Sequence, residues 1–132
     1  MDINYLAVAV AGVLYYVIGA AWYSPVLFAR PWMDALGFTK EDLEDGAGAK
    51  AYILTFVNAL IMAFVLACIV EAFGATTVWA GLQGGFWCWL GFVATTMATN
   101  SVFAGRSLKL YAIDSGYHLV GLLVMGGLLA IW

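Results

Sequence analysis

Four long apolar runs decide what this chain can fold into: Ile3 to Ser24, Ala51 to Phe73, Thr76 to Phe103 and Leu108 to Trp132. Each reaches the ~20 residues that a helix needs to cross the hydrocarbon layer of a bilayer. A backbone surrounded by lipid must satisfy its own hydrogen bonds, which leaves helices or closed barrels. Barrel strands would alternate apolar and polar residues with a period of two, and these runs do not. The sequence therefore predicts an all-α integral membrane bundle of four transmembrane helices, one domain over residues 1–132. Composition agrees, since 65% of the residues are hydrophobic and 10% charged, unlike an ordinary soluble domain.

The basic residues orient the bundle. Arg30, Lys40 and Lys50 fall between runs one and two, and Arg106 and Lys109 between runs three and four. All lie on one side, which the positive-inside rule assigns to the cytoplasm, so both termini are expected outside. The opening Met1-Asp2-Ile3-Asn4 has no basic character, and the first run continues past Gly19 into Trp22-Tyr23 with no cleavage signal. That run is expected to stay in the mature protein rather than act as a signal peptide. A net charge of −3, with most acids gathered in one loop, gives no footprint for nucleic acid.

The loop from Ala29 to Lys50 is the one substantial polar segment. Pro31 suits the first position of a short helix and Gly37 its end. Thr39-Lys40-Glu41-Asp42 resembles a capping box, with Thr39 as N-cap and an acid three residues on. The Glu41, Asp42, Glu44 and Asp45 run reads as a hydrated turn, since a calcium loop would need its own fixed spacing of ligands and glycine. Cys68 and Cys88 fall at different depths of two runs, too far apart for a disulfide, and read as small core residues. Neither CxxC nor HExxH occurs, and no motif specifies a cofactor.

Aromatic residues gather near the run ends: Trp22, Tyr23, Phe28, Trp32, Tyr52 and Tyr111 on the inner side, Tyr5, Phe73, Trp79 and Trp132 on the outer. Such belts anchor a protein at the interface and imply no ligand. The small-xxx-small spacing of Gly81 to Gly85, with Gly116, Gly121, Gly126 and Gly127 in the last run, permits close helix contact. The contact could be within the chain or with a second copy, and a homo-oligomer is the favoured expectation.

Asp114 and His118 are the ionisable pair inside a run, and an intramembrane ionisable residue is by default a functional-site hypothesis. Four residues is a little over one helical turn, so the two share a face and lie within reach of each other. Tyr111, Asp114, His118, Gly121 and Met125 form one stripe on the fourth run, and Trp89, Val93, Thr96 and Asn100 another on the third. If these stripes face each other and Asn58 of the second run, they line a cytoplasm-facing polar pocket. The candidate ligand or proton pathway is then Asp114, His118, Asn58, Asn100, Thr96, Trp89 and Tyr111. The competing reading is a structural or regulatory membrane partner whose polar side chains only tie the helices together. An enzyme is the least favoured, because Ser115 points elsewhere on the helix and two side chains cannot complete a metal site.

Two stretches carry a family resemblance. Trp22-Tyr23-Ser24-Pro25, followed by Leu27-Phe28, Trp32-Met33 and Gly37, resembles the opening signature of an uncharacterised bacterial membrane family, domain of unknown function 1761. Asn100 to Leu110, running on to Gly116-Tyr117-His118-Leu119, resembles its closing signature. The resemblance covers nearly the whole chain and implies a small four-span protein of the bacterial inner membrane. It implies no activity.

Overall fold

Asn4 starts the first helix, its side-chain oxygen accepting from the Ala7 amide at 3.1 Å, and α1 runs Tyr5–Trp22. The computed structural model describes residues 1–39, 41–42 and 48–132. After α1 come α2 (Ala29–Leu36), α3 (Gly48–Ala72) and α4 (Val78–Cys88). A π-helical turn (Trp89–Ala94) leads into α5 (Thr95–Phe103), and α6 (Leu108–Ile131) closes the chain. Thr77 caps α4 by accepting from the Ala80 amide, and Ser107 caps α6 by accepting from Leu110. The chain is all-α, and α1, α3 and α6 are each long and apolar enough to cross a membrane. It is a multi-pass membrane protein with three candidate spans. The third apolar run differs from the uninterrupted helix expected of it. From Val78 to Phe103 the backbone stays helical through the π turn, but no single α-helical stretch there is as long as the other three.

The polar loop follows its sequence signals closely. Gly37 ends α2 with a φ of 73°, a left-handed conformation that glycine adopts without a Cβ penalty. The helix begins two residues earlier than Pro31 would suggest. Proline is still tolerated there, because first-turn amides have no intrahelical acceptor. The Thr39 amide donates to Asp42 Oδ2 at 2.8 Å and the Asp42 amide to Thr39 Oγ1 at 3.3 Å, the reciprocal pattern of a capping box. Lys40, Glu44 and Asp45 lie outside the described residues.

The central helix is α6, with α1 and α4 on its two sides and α3 against α1. Small residues set the spacing. Ala59, Ala63 and Ala67 make a buried stripe on α3 that shares the core with Ala11 of α1, and Gly12 of α1 lies against Leu60. A Cβ on Gly81 would fall on the Gly126 carbonyl oxygen, and one on Gly85 on the Leu122 carbonyl oxygen. The small-xxx-small spacing is thus used inside the chain, to seat α4 on α6, and lends no support to a second copy. Cys68 and Cys88 are both free and half-buried, and Cys88 packs against the edge of the core.

Candidate functional site

The polar groups converge where the end of α1 crosses α6. Tyr23, the residue after α1, donates its hydroxyl to Asp114 Oδ1 at 2.6 Å. Two turns earlier, the Tyr15 hydroxyl is hydrogen-bonded to His118 Nδ1. Asp114 and His118 of α6 therefore each have a tyrosine from α1 or the residue after it as partner. The expected Asp114–His118 proximity on one face is present, but each side chain turns to its own tyrosine.

Tyr117 fills the space between the two pairs. Its hydroxyl donates to the Tyr15 carbonyl at 2.9 Å, and its ring lies 4.8 Å from that of Tyr15 and 5.7 Å from that of Tyr23. Glycines make these ring positions available. A Cβ on Gly19 would come within 2.7 Å of the Tyr117 hydroxyl, and one on Gly121 would strike the Tyr15 ring. Gly116 likewise leaves room for the Trp22 indole, whose Nε1 donates to the Ile113 carbonyl at 2.9 Å. The result is a seam of aromatic rings set into glycine gaps, with hydroxyls on the two ionisable groups. Tyr15 is only 3% exposed, so its hydrogen bond is sheltered from the surroundings.

The remaining candidates do not join this seam. Trp89 and Tyr111 lie on the other side of α6. Trp89 Nε1 donates to the Ser115 carbonyl at 2.8 Å, and the Tyr111 hydroxyl to the Ala94 carbonyl at 2.8 Å. Both bonds tie α6 to the π turn or its edge. Thr96 and Asn100 are exposed, which corrects the stripe expected on the third run. A π turn holds one residue more than an α turn and shifts every later side chain round the axis. Ahead of it Gly81, Gly85 and Cys88 face inward; from its last residue onward the inward set is Ala94, Met97, Ala98 and Ser101. An unbroken α-helix would have carried that face through Phe92 and Thr96, both of which are exposed. Asn58 is exposed as well, one residue off the buried Ala59–Ala63–Ala67 face of α3. A single pocket holding all seven residues is therefore not formed within the chain.

Tyr15, Tyr23 and Tyr117 are site residues that the sequence does not single out. Tyr23 read as an interfacial anchor, and Tyr15 and Tyr117 carried no polar signal of their own inside apolar runs. The one available clue was chemical: a buried tyrosine hydroxyl needs a partner, and Asp114 and His118 needed partners too.

Beside the seam, between the last turns of α1 and the first turns of α3, lies a cavity of about 370 Å³. Tyr16, Gly19, Ala20, Tyr23, Tyr52, Thr55 and Tyr117 line it. A larger groove of about 770 Å³ separates α3 from α4 further along the bundle, with Phe73, Trp87 and Phe92 among its apolar walls.

The family model described as "Protein of unknown function (DUF1761)" matches residues 6–130. No curated protein and no solved structure matches the chain.

Proposed function

Because the chain belongs to the DUF1761 family, whose activity is unknown, we propose its function from the site alone: it binds a small ligand or relays protons through the α1–α6 seam. The observation that supports this reading is that Asp114 and His118, both inside the candidate span α6, pair with Tyr23 and Tyr15. Ionisable side chains are costly within a bilayer and concentrate on ion, proton or substrate paths. Tyr23 and Asp114 lie toward the end that carries the basic residues, and Tyr15 and His118 deeper, so the two pairs are stacked along one route.

The proposed setting is a four-span arrangement in a bacterial inner membrane, with Val78 to Phe103 as the third crossing. At ~1.5 Å per residue that stretch exceeds the ~30 Å hydrocarbon thickness. The ends bearing Arg30 and Arg106 face the cytoplasm and both termini face outward. Cysteines introduced at Phe38 and Ala104, with Cys68 and Cys88 replaced, should resist an impermeant thiol reagent in intact cells; labelling of both inverts the topology. Self-association is retained as part of the proposal only through the exposed apolar face of α3, which includes Ile53, Val57 and Ile61.

A structural role is the second reading. What favours it is that the described residues contain no buried side-chain nitrogen or oxygen lacking a hydrogen-bond partner. His118→Gln and His118→Leu separate the two. In proteoliposomes with an internal pH dye and an imposed potential, the wild type should acidify faster than empty vesicles. His118→Gln, which keeps a hydrogen-bonding group but cannot titrate, should fold and lose that flux. If the wild type matches empty vesicles, His118→Gln is as stable as wild type and His118→Leu unfolds, the seam is structural.

A further inference from the structure

We propose that the tyrosine-lined cavity between α1 and α3 is a binding site for an organic ammonium cation, its walls made electron-rich by Asp114 behind Tyr23. The inference rests on the proposed function in taking Asp114 as a working carboxylate, and it names the ligand class.

Four of the seven lining residues are tyrosines, at positions 16, 23, 52 and 117, drawn from three helices. The Tyr23 and Tyr117 rings stand at 76° to each other with centroids 5.7 Å apart, so they form two walls of a corner. Aromatic rings attract cations through the negative potential of their faces, and clusters of them recognise quaternary ammonium groups.

The hydrogen-bond directions favour a cation over an anion. The Tyr23 hydroxyl donates to Asp114, the Tyr117 hydroxyl to the Tyr15 carbonyl, and the Thr55 hydroxyl to the Ala51 carbonyl. These three lining groups have their protons engaged elsewhere and retain oxygen lone pairs. The 2.6 Å Tyr23–Asp114 contact has the length of a charge-assisted bond to a carboxylate. Such a bond pushes electron density into the Tyr23 ring and strengthens its pull on a cation. Among the described residues no lysine, arginine or histidine lines the cavity. Lys50 is two residues from Tyr52, about 200° around α3, and so points away from it. The volume of about 370 Å³ suits a small molecule.

Position narrows the sources. The cavity is at the basic-residue end, between Tyr23 at the close of α1 and Tyr52 in the first turns of α3. An ammonium could come from a phospholipid headgroup or from a free cation.

The full chain in phosphatidylglycerol nanodiscs, which offer no ammonium headgroup, is titrated at constant pH with choline and with its uncharged isostere 3,3-dimethylbutan-1-ol. Choline should bind saturably and at least tenfold more tightly than the alcohol. Tyr52→Leu, at a residue 65% exposed and so of small consequence for folding, should weaken choline at least fivefold. Asp114→Asn should weaken it as well. Equal binding of the two probes, no saturable choline binding, or full retention in Tyr52→Leu overturns the proposal. Repeating the titration with phosphatidylethanolamine in the nanodisc assigns the source. Competition identifies the headgroup and undiminished choline binding a free cation, and either supports the site. Wild-type proton flux no faster than that of empty vesicles, with choline binding intact, overturns the relay alone; the converse overturns the cation site alone.

Discussion

Tyr23 and Asp114, 91 residues apart in sequence, join at 2.6 Å across the α1–α6 seam. Their neighbours do the same, since Trp22 reaches the Ile113 carbonyl over the same separation. Two adjacent residues at the end of α1 thus dock on two adjacent residues of α6. The opening and closing signature stretches are the two halves of one contact.

A double-mutant cycle measures the coupling. Tyr23→Phe removes the donor hydroxyl and Asp114→Ala the acceptor, so each single change abolishes the bond. Interhelical hydrogen bonds in membranes are worth on the order of 0.5–2 kcal/mol, because the unfolded chain also finds partners in the bilayer. A coupling of about 1 kcal/mol or more is expected from unfolding in mild detergent, and additive losses would show that the pair does not interact.

The close approach of α4 to α6 predicts a contrast between two nearby glycines. A Cβ at Gly81 would collide with the Gly126 backbone, which cannot rotate away as a side chain can. Gly81→Ala should separate the helices and destabilise by about 1–3 kcal/mol. Gly84 has nothing within 4 Å of a Cβ, so Gly84→Ala should be neutral or slightly stabilising through helix propensity. Thermal denaturation of both variants in one detergent checks the pair, and equal losses would refute the packing.

Much of this was legible because lipid imposes few solutions. The run boundaries, the Thr39–Asp42 box and the shared face of Asp114 and His118 follow from length, capping chemistry and helical period. The partners of Asp114 and His118 were not legible, because Tyr15 and Tyr23 are brought to them by tertiary packing. The π turn was hidden as well. Trp89 to Ala94 holds no proline, and its one glycine, Gly91, also fits a regular helix. One extra residue in that turn was enough to move Thr96 and Asn100 out of the expected pocket.

The Thr39–Asp42 turn should respond to acid. Its Asp42 carboxyl is held below the usual carboxylate range, first by the Thr39 amide and then by the Thr39 hydroxyl. A depressed folded-state value means that the contribution is present above the unfolded carboxylate pKa and is lost as pH falls through the folded one. The Thr39 amide resonance should therefore titrate with a midpoint below that of an ordinary aspartate. Asp42→Asn should abolish the transition, and a midpoint at or above the ordinary value would contradict the hydrogen bonds.

The π turn predicts that deleting a residue is harmless at one place and ruinous at another. A π turn in a helix amounts to one inserted residue. Removing Gly91, whose surroundings hold nothing within 4 Å of a Cβ, would let Trp89–Ala94 relax to α-helix. Ala94, Met97, Ala98 and Ser101 would then keep their inward face, since the lost residue compensates the narrower turn. Removing Gly84, equally unencumbered, deletes a residue from regular α-helix. Everything beyond it would turn by about 100°, and Phe86 would take the position of Gly85, where even a Cβ falls on the Leu122 carbonyl oxygen. The Gly91 deletion should lie within roughly 1 kcal/mol of wild type. The Gly84 deletion should fall beyond the usual single-change range of about 0.5–3 kcal/mol, or fail to fold. Folded yield and thermal stability in detergent read both, and equal damage from the two deletions would rule out the π turn as the source of the register shift.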